Sequence, residues 1–266
     1  MRTMTLFLRF QRLNLRAIAQ YRLNLVIWFV FGIAYNGASI GVLWAMLQRF
    51  PLLNGWTFRD LLFLYALWSL GHGVYSATLG KLSAVSRYIR EGRLDRFLVR
   101  PLGTLFQVIT VPEGITIDDF FFGSALFALA QAEVHLVWTP ERALLLAAVI
   151  VGAALIKGAL LLALSTLSFW LVRMDAARIL LETLELEFIR FPLTIFPRAA
   201  QWLLTFVMPL AFVSFLPAEL FLAKSAAGTL LNPAWGQLTP FVGGAAFTLS
   251  YLFWRTGLLH YQGTGS

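Results

Sequence analysis

The stretch from Ala143 to Val172, ALLLAAVIVGAALIKGALLLALSTLSFWLV, decides the fold, and Lys157 is its one ionisable residue. A bilayer hydrocarbon core ~30 Å thick is crossed by about 20 helical residues, so this run is long enough to span it. Similar apolar runs lie at Leu25–Leu47, Asp60–Leu82, Ile117–Val137, Ala200–Leu222 and Leu238–Leu259. The reading is an all-α polytopic membrane protein with six transmembrane helices. The whole chain agrees: of 266 residues 59% are hydrophobic and only 13% charged, with a mean hydropathy of +0.75. That is too apolar for a soluble domain of this size. Six spans leave only short loops, with no room for a soluble catalytic domain. The absence of cysteine excludes a disulfide framework, a thiol nucleophile and a thiolate metal site.

The 21 Lys and Arg against 13 Asp and Glu give a net charge of +8. In a soluble protein that balance points to nucleic acid; in a membrane protein it reports orientation, and no nucleic-acid partner is expected. With the amino terminus cytoplasmic, sixteen Lys and Arg fall on inside segments. Arg49, Arg59, Arg142 and Lys224 fall outside. This asymmetry places both termini in the cytoplasm; a multi-pass protein of the cytoplasmic (inner) membrane is expected.

Residues 1–24 carry Arg2, Arg9, Arg12, Arg16 and Arg22 and no acid. Arg9, Arg12 and Arg16 share one helical face, with Leu6, Phe10, Leu13 and Ala17 opposite, the pattern of an amphipathic helix lying in the membrane interface. A cleaved signal peptide is the rival reading. The apolar run that follows is a full span long, however, and no small-residue cleavage site closes it. Residues 173–198 mix Arg178, Glu182, Glu185, Glu187 and Arg190 with leucines and isoleucines, which predicts a second amphipathic segment along the cytoplasmic surface. Met208-Pro209, Leu216-Pro217, Gly228, Asn232-Pro233 and Pro240 punctuate the tract between the fifth and sixth spans. They predict short re-entrant helices in which Pro209, Pro217 and Pro233 shape a cap. No internal repeat divides the chain, so 1–266 reads as one domain.

Gly80-Lys81 is followed by Leu82 and lacks the upstream glycine of a phosphate-binding loop, so no nucleotide site is expected here. His72, His135 and His260 are too far apart for a local metal motif, and no catalytic triad or carboxylate pair is recognisable. No enzyme, no metal and no cofactor bound by this chain are expected.

The most informative loop follows the second span, within the cytoplasmic region 84–113. In Arg93-Leu94-Asp95-Arg96-Phe97-Leu98-Val99-Arg100-Pro101, Leu94, Phe97 and Leu98 fall at i, i+3 and i+4 beside the charges of Arg93, Asp95, Arg96 and Arg100. A short helix there presents an apolar ridge with a charged rim and stops at Pro101. It reads either as a docking element, whose ridge fills a groove on a partner, or as an ordinary positive-inside loop.

The stretch Glu91 to Leu102 resembles the coupling-helix region of permease subunits in type-two ATP-binding-cassette (ABC) transporters. The resemblance extends over nearly the whole chain: an interfacial amino-terminal helix, six spans, a Pro-broken tract before the last span, and the ending Trp254 to Ser266. Val111-Pro112-Glu113-Gly114 departs from the pattern ahead of the third span. The resemblance implies an export permease for hydrophobic or amphipathic compounds. It would pair with a second permease, identical or related, and with two ATPase subunits that hold ATP and magnesium. The rival classes are a self-sufficient secondary transporter or channel, and a membrane-embedded enzyme or scaffold.

Polar residues inside the spans complete the candidates. Tyr65, Ser69, His72 and Ser76 form one stripe on the second span, read either as a transport lining or as a helix seam. Gly37 and Gly41 form a G-x-x-x-G on the first span, near Asn36 and Ser39. Trp44, Trp56, Trp138, Trp202 and Trp254 fall near span ends as interface anchors, with an aromatic binding cage as the alternative. Lys157, inside the fourth span, costs ~3 kcal/mol there unless paired. Folding the third and fourth spans about Thr139-Pro140 puts Asp118 or Asp119 within its reach, so a Lys157 pair with one of these is expected.

Overall fold

A computed structural model describes residues 5–7, 9–13, 22–50, 52–111, 118–171, 174–189, 191–225 and 228–261. Helix is the regular structure of the described residues, which contain no β-strand. The long helices are α1 (Arg22–Arg49), α2 (Phe58–Thr78), α6 (Asp118–Val134), α7 (Pro140–Thr166), α8 (Asp175–Ile189) and α11 (Thr239–Leu259). Between α2 and α6 come the short α3 (Val85–Arg90), α4 (Asp95–Leu98) and α5 (Thr104–Thr110). Between α8 and α11 come α9 (Arg198–Trp202) and α10 (Phe215–Phe221). Among the described residues Phe29–Arg49 and Pro140–Phe169 are long and apolar enough to cross a membrane, and a third if one bent pair of helices counts as a single span.

Local chemistry starts the helices. The tight turn Asn54-Gly55 takes left-handed backbone at both residues, so that Leu53 and Trp56 pair across it before α2 begins. Thr57 and Asp60 then form a reciprocal capping box. At α7 the Thr139 hydroxyl accepts the Arg142 N–H and Pro140 fills the first turn, where it loses no hydrogen bond.

Small residues set the packing of the bundle. Gly73 and Gly123 bring α2 and α6 together antiparallel, and Gly71 lays α2 against Ala153 of α7. Gly152 meets Gly243, and Thr166 and Phe169 meet Gly257, so α7 and α11 run parallel. Both α6 and α7 therefore pack on α2, which stands between them. One core cluster, around Trp56, Phe63, Trp68, Phe212 and Phe215, fills the Asp60 end. Another, around Leu82, Tyr88, Phe97, Leu162 and Trp254, fills the Tyr88 end.

Several expectations change on this scaffold. The predicted fifth span, 200–222, is not one rod: Arg198–Val207 and Leu210–Phe221 meet at 78° across Met208-Pro209, where proline removes a helical N–H. Residues 173–198 do not all lie along a surface. Leu181 and Glu185 of α8 are buried, Leu181 in a cluster with Tyr75 and Leu161, Glu185 against Trp68 and Lys157. The helix thus runs into the bundle, antiparallel to α2 and α7. Trp44, Trp138 and Trp202 are exposed, whereas Trp56, packed on Phe215, and Trp254, packed on Phe169, are core residues. Of the amino-terminal helix, 5–7 and 9–13 are helical, with Arg9 and Arg12 exposed and Gln11 donating to the Ala77 carbonyl. Arg2, Arg16 and Ala17 lie outside the described residues, as does the Pro112-Glu113-Gly114 departure.

Candidate functional site

Two constellations carry charge where the fold is otherwise apolar. The first is a chain of polar groups around Lys157, buried at Lys157 and Glu185 and half-buried at His72 and Asp119. Its ammonium lies 2.8 Å from a Glu185 carboxylate oxygen and 2.8 Å from Nδ1 of His72. The other Glu185 oxygen accepts the Trp68 indole N–H at 3.1 Å. On the far side of the imidazole, His72 Nε2 stands 3.4 Å from Asp119. An ammonium can only donate, so His72 accepts at Nδ1 and carries its proton on Nε2, toward Asp119. The Tyr75 ring, 5.2 Å from the ammonium, closes the pocket by a cation–π contact. Four helices, α2, α6, α7 and α8, each contribute a side chain.

The expected direct pairing of Lys157 with Asp118 or Asp119 is corrected accordingly. Because α2 lies between α6 and α7, His72 occupies the gap and relays to Asp119, while α8 brings Glu185 to the amine. The side chain of Asp118 lies outside the described residues. The sequence signal for Glu185 was its place on the apolar side of α8, four residues after Leu181; reading the segment as a surface helix hid it.

The stripe on α2 divides among neighbours. The Tyr65 hydroxyl donates to Asn36 Oδ1 at 2.6 Å, tying α2 to α1. Ser69 donates to the Asp119 carbonyl at 2.9 Å, tying α2 to α6. His72 belongs to the Lys157 network, and Ser76 is half-buried near Gly80. The Tyr65 and Ser69 bonds are contacts between helices. On α1, Asn36 and Ser39 are buried, while a side chain added at Gly37 or Gly41 would meet nothing within 4 Å.

The second constellation is the turn of chain around α4. Leu94 is fully buried and Phe97 nearly so, inside the cluster that also holds Leu162 of α7 and Trp254 of α11. The Leu94 and Phe97 side chains therefore do not form an outward ridge; they face inward because Tyr88, Leu162 and Trp254 already offer apolar surface there. Outward stand Leu98, 46% exposed, Val99, 84% exposed, and Leu102, with Arg93, Arg96 and Arg100 around them. Gln107 of α5 pins the loop by donating to the carbonyls of Phe97 and Leu102 at 2.8 and 2.7 Å. Arg96 lies over the Phe97 ring at 4.8 Å. Burial, with the Asp95 carboxylate beside it, pushes the pKa of the Tyr261 phenol, just after α11, up to about 12.

The arrangement offers a surface of mixed apolar and cationic character, rooted in two long helices. Among the described residues no group of His, Asp or Glu is placed to hold a metal ion. A family model described as ABC-2 family transporter protein matches residues 33–265. No curated protein and no solved structure matches the chain.

Proposed function

The chain belongs to the ABC-2 transporter family, and from that premise we propose that it is the permease of an ATP-driven exporter for a hydrophobic or amphipathic compound. Family membership makes it an integral membrane transport subunit, not itself the catalyst. In the proposed assembly two separate ATPase subunits hold ATP and magnesium, and a second permease, identical or related, completes the pathway. Residues 1–266 form one permease domain in the inner membrane with both termini cytoplasmic. The six spans are α1, α2, α6, α7, α8 and α11. Helices α7 and α11 run parallel, so the chain must recross between them, and the antiparallel α8 supplies that crossing. The bent pair 198–221 is then the re-entrant element, leading outward to Lys224, which pairs with Asp60 at the start of α2.

One observation carries the coupling role of Arg93 to Arg100: the segment has an inner and an outer side. Leu98, Val99 and Leu102, rimmed by Arg93, Arg96 and Arg100, meet the ATPase. Leu94 and Phe97 pass its movement to Leu162 of α7 and Trp254 of α11. A well-packed cluster transmits displacement because it has little free volume to absorb it.

The test is co-purification of the ATPase with the double variant Leu98→Asp/Val99→Asp. Both positions are exposed, so thermal stability should hold while the nucleotide-binding partner is lost. Full retention of that partner, with substrate-stimulated hydrolysis intact, would remove the coupling assignment.

A further inference from the structure

A cavity of about 620 Å³ opens at the Tyr88 end of the bundle, between α5 and α11 and apart from the Lys157 network. Its size falls within the ~300–1,000 Å³ of small-molecule sites. Phe106 and Ile109 of α5 and Phe247 and Leu258 of α11 form apolar walls, and the exposed Tyr251 and Arg255 stand at the mouth. The mouth opens on the uncovered side of α11. Leu252, Arg255 and Leu259 recur at i, i+3 and i+7, and Leu252 and Leu259 are exposed. In a membrane protein such an apolar helix face meets lipid.

Arg255 therefore stands at the lipid edge of an apolar cavity. Among the described residues no carboxylate pairs with its guanidinium and no hydrogen bond engages that group. A guanidinium at a helix end facing lipid is satisfied by an anion at headgroup depth, and basic pockets between membrane helices bind anionic headgroups. The apolar walls below it suit an acyl chain. We infer that the cavity holds one anionic phospholipid, its phosphate on Arg255 and an acyl chain between α5 and α11. The assignment is independent of whether the chain couples to an ATPase.

The test is native mass spectrometry of the purified full chain, titrated with palmitoyl-oleoyl phosphatidylglycerol and with the phosphatidylcholine of the same chains. The wild type should retain one phosphatidylglycerol about fivefold more tightly than phosphatidylcholine, the gain expected for one cation at a membrane surface. Arg255→Gln should lose that preference, Arg255→Lys should keep most of it, and Ile109→Trp, which fills the cavity, should weaken both lipids. Because Arg255 is exposed, its variants should melt with the wild type. Equal retention of the two lipids, or an unchanged preference in Arg255→Gln, would overturn the inference. Displacement of the lipid by inorganic phosphate would leave only an anion site and overturn it as well. A dimer lost in Arg255→Gln with lipid retention unchanged would give the cavity to a second copy of the chain, with the same result.

Discussion

Lys157 of α7 and Glu185 of α8 form an ion pair 2.8 Å apart with side chains 7% and 4% exposed. Removing one partner of such a pair strands the other charge away from water, at a cost of about 3–5 kcal/mol. Lys157→Met should therefore lower the midpoint of thermal unfolding sharply. The double variant Lys157→Met/Glu185→Leu, which strands neither charge, should recover most of the loss. The comparison is made by size-exclusion thermostability in detergent. A double variant as unstable as the single one would mean that the pair does not act as a unit.

Two adjacent glycines of α11 should respond in opposite ways. A Cβ at Gly243 would sit 2.9 Å from the Gly152 Cα and nearer still to its carbonyl oxygen, both backbone atoms of α7. At Gly244 a Cβ would meet nothing within 4 Å. Gly243→Ala should force the helices apart and cost roughly 1–3 kcal/mol, the range of overpacked cores, while Gly244→Ala should raise stability by about 0.5–1 kcal/mol, the gain of alanine over glycine inside a helix. Equal melting temperatures for the two variants would contradict the parallel seam.

The tract before α11 should behave as packed structure up to α10 and as open loop after it. Ala218 is fully buried, as is Glu219, whereas Ser225 is exposed. The chain has no cysteine of its own, so single cysteines report cleanly. In detergent, Ser225→Cys should react with a maleimide at once and Ala218→Cys only after denaturation. Rapid labelling at 218 would show that α10 is not packed under the turn at Trp56.

Phe97 now tests folding rather than docking. With its ring 3% exposed and edge-on to Tyr88, Phe97→Ala should cost about 3–5 kcal/mol. Val99→Ala, at an exposed position, should fall within about 0.5 kcal/mol of the wild type. Unfolding midpoints of the purified chain decide it; a neutral Phe97→Ala would place the ring outside the core.

Much of the architecture was legible because it follows from local rules. Apolar runs longer than a bilayer is thick dictate membrane helices, Thr139-Pro140 starts α7, Pro209 breaks the tract it sits in, and Glu91 to Leu102 already resembled the family that the match to residues 33–265 shows. The pattern at Leu94, Phe97 and Leu98 marked an amphipathic turn, but amphipathicity says only that a face will be covered, not by what. The cover proved to be the chain's own Leu162 and Trp254 for two of the three residues.

By itself the sequence determined the helical membrane class, the breaks, and the need of Lys157 for a partner, since backbone hydrogen bonding and charge solvation in lipid are settled residue by residue. Only the tertiary structure decided which partner. Placing α2 between α6 and α7 put His72 in the path to Asp119, and carrying α8 into the bundle delivered Glu185. Helix order in space is set by which small residues let two backbones close, as at Gly152 and Gly243, and periodicity along one helix carries no record of the neighbour it will meet.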